Sequence, residues 1–85
     1  MTYEVEITPA AKRQIKKLTK SVQGLILERL EELVENPRPF GVIKMEGEED
    51  LYRVRVGDYR IIYEIQDRVL LIVVVKVGHR NNVYR

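Results

Sequence analysis

The sequence predicts an α+β fold: an N-terminal strand, a helical hairpin, then a mainly antiparallel twisted sheet in the order β-α-α-β-β-β-β, with the helices on one face. Three observations lead there. Apolar residues recur at helical spacing between Thr8 and Glu35, at a spacing of two between Leu51 and Ile65, and as an unbroken run from Val69 to Val75. Helices therefore precede strands instead of alternating with them, the pattern of helices segregated onto one face of a sheet. The 85 residues have room for a single domain, 1–85, built around one core.

Tyr3, Val5 and Ile7 alternate with Glu4 and Glu6, which predicts a short strand with one buried face. Thr8-Pro9 starts a helix, the hydroxyl capping and the proline occupying the first helical position, where its missing N–H does no harm. This helix is expected to reach about Lys20, with Ala11, Ile15, Leu18 and Val22 facing inward and Lys12, Arg13, Lys16, Lys17 and Lys20 on its back. Ser21 is the expected cap of a second helix running to about Glu35. Val22, Ile26, Leu30 and Leu33 form its core stripe; Glu28, Glu31, Glu32 and Glu35 lie on the far side. Asn36-Pro37-Arg38-Pro39 ends it, because two prolines cannot continue a helix. Two residues fit this helix poorly: Gly24, which would suit a close helix approach, and Arg29, which interrupts the apolar face. Val42 to Met45 predicts a short strand, and Glu46-Gly-Glu-Glu-Asp50 a solvated acidic bend without a convergent metal-ligand pattern. The run from Val69 to Val75, after a turn at Gln66-Asp67, predicts a central strand covered on both faces.

The net charge of +2 conceals a segregation. Eight acids lie between Glu28 and Asp50, whereas the stretch from Leu51 to Arg85 carries seven bases against three acids. The absence of cysteine removes disulfides and thiolate metal sites and fits a reducing compartment. No apolar run approaches the roughly 20 residues of a membrane span, and the N-terminus lacks signal-peptide character, so a cytoplasmic protein is expected.

The densest chemical signal lies in Leu51-Tyr-Arg-Val-Arg-Val-Gly-Asp-Tyr-Arg-Ile-Ile-Tyr-Glu-Ile65. With Gly57-Asp58 as a two-residue hairpin loop, Val56 pairs with Tyr59 and Arg55 with Arg60. Alternation then gathers Arg53, Arg55, Arg60, Ile62 and Glu64 on one face, and Val54, Val56, Tyr59, Ile61 and Tyr63 on the other. Like charges directly opposite one another destabilise a sheet. One such arginine is commonly just a solvated side chain, but three opposed across a turn point to an anionic ligand, and guanidinium groups match phosphate.

Taken together, the helical hairpin ending in Asn36-Pro-Arg-Pro39, the Leu51-Tyr-Arg-Val-Arg55 strand, the Gly57-Asp-Tyr-Arg60 turn with Ile61-Ile-Tyr63, and the ending Val77-Gly-His-Arg80 with Val83-Tyr84 resemble the RelE/ParE superfamily of toxins over nearly the whole chain. The RelE-type messenger RNA endonucleases are the branch it is most similar to. That resemblance implies a toxin neutralised by a cognate antitoxin in a hetero-oligomer. It also implies cleavage of messenger RNA in the ribosomal A site, with no metal or other cofactor, by attack of the 2′-hydroxyl on the neighbouring phosphate. Carried over by position, it puts Arg53 and Arg55 where the family has two lysines, Arg60 at its turn arginine, Arg80 at its later arginine and Tyr84 at its C-terminal tyrosine. Arg53, Arg60 and Arg80 become phosphate clamps.

Arginine does not deprotonate in proteins, so the proton acceptor is sought among His79, Tyr84 and Glu64. Histidine has the ordinary pKa best suited to proton transfer near neutrality. Tyr84 could instead stack an unpaired base, and Glu64 could simply neutralise Arg60. Two other functions stay open: a ParE-like inhibitor of DNA gyrase, and an inactive member that binds RNA or a protein partner.

Overall fold

A computed structural model of the chain describes residues 2–47 and 50–79. Its elements follow the expected order: β1 (Glu4–Ile7), α1 (Pro9–Lys16), α2 (Lys20–Glu35), β2 (Ile43–Lys44), β3 (Leu51–Val56), β4 (Tyr59–Gln66), a 3-10 turn (Asp67–Val69) and β5 (Leu71–His79). The five strands form one sheet ordered β1-β5-β4-β3-β2, antiparallel except for the parallel β1–β5 pair. Parallel neighbours need a crossover, and nearly the whole chain supplies it here: β1 pairs with the last strand, Val5 opposite Ile72 and Ile7 opposite Val74.

Both helices cover one face. Ala11, Ile26, Leu30 and Leu33 meet Val54, Val56, Ile61, Tyr63, Ile65, Ile72, Val74 and Val77 in a single buried cluster. Where β1 ends, α1 takes over the edge of β5. Thr8 Oγ1 donates to the Val75 carbonyl at 3.3 Å, and the Val77 N–H donates to Gln14 Oε1 at 2.7 Å. At the other end of the sheet, the Tyr63 hydroxyl donates to the Pro37 carbonyl at 2.6 Å, so the proline segment that stops α2 also receives a buried donor from β4.

Four details differ from the sequence reading. The first helix stops at Lys16 instead of Lys20, and Thr19, not Ser21, caps the second, its Oγ1 accepting from Val22 N–H at 3.3 Å. Capping residues two positions apart compete, and the connection between the helices is short enough for the earlier one to win. Gly24 has no close helix approach to explain it: an added Cβ would meet nothing within 4 Å. Glycine there carries only its backbone entropy cost, so Gly24→Ala is expected to stabilise the protein by about 1 kcal/mol, read as a raised urea midpoint at unchanged slope.

The third difference is that the Val-rich run is not covered on both faces. Val75 is exposed, and Val69 lies before β5 in the 3-10 turn. Both helices pack on the same side, so only Ile72, Val74 and Val77 of this strand enter the core. The fourth is Arg29, whose interruption of the apolar face has a purpose. Its Nη2 donates to the Arg55 carbonyl at 2.8 Å and its Nη1 pairs with Glu32 at 2.9 Å, fastening α2 to β3.

Candidate active site on the helix-free sheet face

The hairpin forms in the expected register, with Arg55 opposite Arg60, Val56 opposite Tyr59 and Val54 opposite Ile61. Gly57 takes φ +59°, the left-handed conformation that the first loop position of a type II′ turn requires. Paired residues share a face, so Arg53, Arg55 and Arg60 point away from the helices. Arg55 is exposed and its Nε donates to the Gly57 carbonyl at 2.8 Å, which commits part of its guanidinium to the turn. Arg53 and Arg60 are half-buried. Two arginines directly opposite one another repel, and their guanidinium groups are donors of the geometry that an anion accepts.

The β4–β5 ladder decides which residues join this face. It runs Tyr59–His79, Arg60–Gly78, Ile61–Val77 and Ile62–Lys76, then slips by one residue so that Tyr63 faces Val74. Val75 is the extra residue of this β-bulge, and a one-residue slip exchanges the faces of everything beyond it. Two consequences follow. His79 comes out opposite Tyr59, against whose ring it packs edge-on with centroids 5.6 Å apart. It therefore shares the helix-side face with Val56 and Val77, away from the face of Arg53, Arg55 and Arg60. Lys76, which uninterrupted alternation from Ile72 and Val74 would bury in the core, instead stands on the arginine face beside Ile62, half-buried. Nothing in the run of valines marks the bulge, so Lys76 carries no signal in the sequence that would place it here.

Glu64 does lie on the arginine face, opposite Leu51 and Val73. It is four residues along β4 from Arg60, about 13 Å at ordinary strand rise. Its Oε1 accepts from Gln66 Nε2 at 2.6 Å. On the same face it is diagonal to Arg53, one row nearer than Arg60. Arg80 and Tyr84 lie outside the described residues, Arg80 following directly on the end of β5. The same holds for Glu48 and Glu49 of the acidic bend. Among the described residues no group of three His, Asp or Glu side chains is placed to hold a metal ion, and no helix is long and apolar enough to cross a membrane.

A second polar cluster sits at the opposite end of the sheet and is structural in character. Asp67 receives Arg38 through two bonds of 3.2 and 2.8 Å and the Tyr3 hydroxyl at 2.6 Å, while Arg38 also lies 5.1 Å from the centre of the Tyr52 ring. It joins the residue before β1, the segment after α2, β3 and the 3-10 turn. The guanidinium of Arg38, followed by the Tyr3 hydroxyl, holds the Asp67 carboxyl down to about 2, from an ordinary 3.8. A depressed carboxyl stabilises the fold above its unfolded pKa, and that contribution is lost as pH falls through the folded value. Asp67→Asn is accordingly expected to flatten the decline of thermal stability between about pH 4 and pH 2. Unfolding curves over that range check this, and a decline as steep as that of the parent protein would contradict it.

Comparisons with known proteins agree with this architecture. The family model described as "ParE toxin of type II toxin-antitoxin system, parDE" matches residues 5–84. A putative RelE-like toxin protein of Escherichia coli is 32% identical over 82 residues, covering 94% of this chain and 85% of that protein. The mRNA interferase toxin RelE of Escherichia coli strain K12 is 28% identical over the same length, with coverage of 94% and 85%. Among solved structures, the archaeal RelE–RelB complex from Pyrococcus horikoshii OT3 superposes with a TM-score of 0.84 at 36% identity, covering 98% of this chain and 100% of that one.

Proposed function

Starting from a chain that belongs to the ParE toxin family of type II toxin–antitoxin systems, we propose that it is a ribosome-dependent endoribonuclease that cuts messenger RNA in the A site and so arrests translation. The observation that carries this reading is the cationic helix-free face, where Arg53 and Arg60 are half-buried and Arg55 faces Arg60 across the turn. The name of the K12 relative, an mRNA interferase, supports the same activity.

Cleavage proceeds by in-line attack of the 2′-oxygen on the adjacent phosphorus with departure of the 5′-oxygen, and it uses no metal. As the phosphorane forms, charge builds on its equatorial oxygens. Arg60 and Arg53 offer permanently charged, forked donors for those oxygens. Arg80 completes the phosphate clamp, and Tyr84 stacks on or hydrogen-bonds a base near the cut. Arg55, tied to its own turn, holds a flanking phosphate. The ribosome supplies what a small face of this kind lacks, which is a fixed, unpaired conformation of the message.

The partner is a cognate antitoxin, as in the Pyrococcus complex. Its acidic or amphipathic segments cover the toxin in the cytoplasm until it is released. A second reading, gyrase inhibition, is favoured by one feature: β3 carries arginines, which cannot act as a base, where the resemblance to RelE-type endonucleases implies lysines. Expression of the toxin without antitoxin separates the two. Growth arrest with messenger cleavage and normal plasmid supercoiling is expected; arrest with intact messages and relaxed plasmid would establish the gyrase reading instead.

A further inference from the structure

Arginine cannot accept the 2′-hydroxyl proton, and the β-bulge at Val75 brings a lysine to the face that carries Arg53, Arg55 and Arg60. We propose that Lys76 is the proton-accepting catalytic residue of this chain, acting from β5 in place of a lysine on β3. The proposal rests on the endoribonuclease reading above.

Three features of the face support it. Across the strands, one row of side chains reads Ile43, Arg53, Ile62, Lys76, and the next reads Arg55, Arg60, Gly78. Lys76 is thus diagonal to Arg60 and two strands, about 9.6 Å, from Arg53, so one phosphodiester can lie between the three cations. Next, Ile62 is only 6% exposed although it points away from the helices and stands outside the core cluster. The aliphatic stems of Arg53 and Lys76, which flank it, are placed to cover it and to hold their charged heads above the same spot. Finally, Gly78, opposite Arg60, contributes no side chain of its own to the face next to Lys76.

Among these cations, only an amine can exist neutral and take a proton. In the proposed step, neutral Nζ accepts the 2′-hydroxyl proton, the O2′–phosphorus bond forms, and the bond from phosphorus to O5′ breaks. The 5′-oxygen takes a proton from water, the Lys76 ammonium returns its own to solvent, and the products are a 2′,3′-cyclic phosphate and a 5′-hydroxyl end.

The test is single-turnover cleavage on programmed ribosomes between pH 6 and 9 with the parent protein, Lys76→Arg and Lys76→Ala. Lys76→Arg keeps the stem, the charge and the cover over Ile62, so it should fold and bind programmed ribosomes as the parent does. It is expected to lose about 10²-fold or more in cleavage rate. The parent rate should rise with pH, and that rise should be absent from both variants. Lys76→Arg at the parent rate, or with the parent pH profile, would overturn the proposal and reduce Lys76 to a charge. Failure of the parent protein itself to cut would instead overturn the endoribonuclease reading, a result distinct from loss in the variants alone.

Discussion

Arg60→Ala is expected to lower messenger cleavage by about 10²- to 10³-fold while leaving the protein folded. Arg60 lies on β4, the middle strand of the face, between Arg55 on one side and Gly78 on the other. Arg55 spends its Nε on the Gly57 carbonyl, and Arg53 shares its row with two isoleucines. Arg60 is therefore the guanidinium most centrally placed for a phosphate. A charge preorganised where negative charge develops is worth more than the same charge in water, because it needs no reorganisation as the reaction proceeds. Removing it should lower the rate much more than it weakens binding to the ribosome. It should also relieve the like-charge pair with Arg55, which limits any fall in melting temperature from the loss of Arg60's own contacts. Rate constants and melting curves on the same preparation check both halves. Comparable loss in Arg55→Ala and Arg60→Ala would show a diffuse electrostatic surface, not a positioned clamp.

The largest effect on stability is expected at Ile61, which is fully buried and lies between Val54 and Val77 on the helix side of the sheet. Truncating a buried isoleucine to alanine costs about 2–5 kcal/mol, the lost transfer energy plus that of the cavity left behind. A domain of this length has about 5–15 kcal/mol in total, and each kcal/mol moves the melting point by about 4–8 °C. Ile61→Ala should lower it by more than about 10 °C. Ile43→Ala, at an exposed position on the edge strand, should change stability by less than about 0.5 kcal/mol. Calorimetry on the two variants checks the contrast, and equal shifts would contradict the placement of the core.

The sequence was most informative where local chemistry dictates structure. Gly57-Asp58 names its own turn, and from that turn every cross-strand pair of the arginine hairpin follows by counting. Pro9 and the paired prolines after Asn36 bound the helical hairpin for similarly local reasons. What could not be read depends on tertiary packing. The pairing of β1 with β5 joins residues more than sixty positions apart, and no local signal announces it. The bulge at Val75 sits within a run of valines whose members look alike from either face, yet that one residue moves His79 to the side of Tyr59 and Lys76 to the side of the arginines. The arginine pairs of the candidate site were therefore legible in the sequence, whereas the faces on which His79 and Lys76 stand were not.

The central claim, that the cationic face cuts messenger RNA held by the ribosome, is tested most directly by primer extension on a defined message. The purified toxin is added to programmed ribosomes in one reaction and to naked message in another. Discrete cuts in the A-site codon, present only with ribosomes, are the expected result. Intact message in both reactions, from protein shown to be folded, would contradict the account.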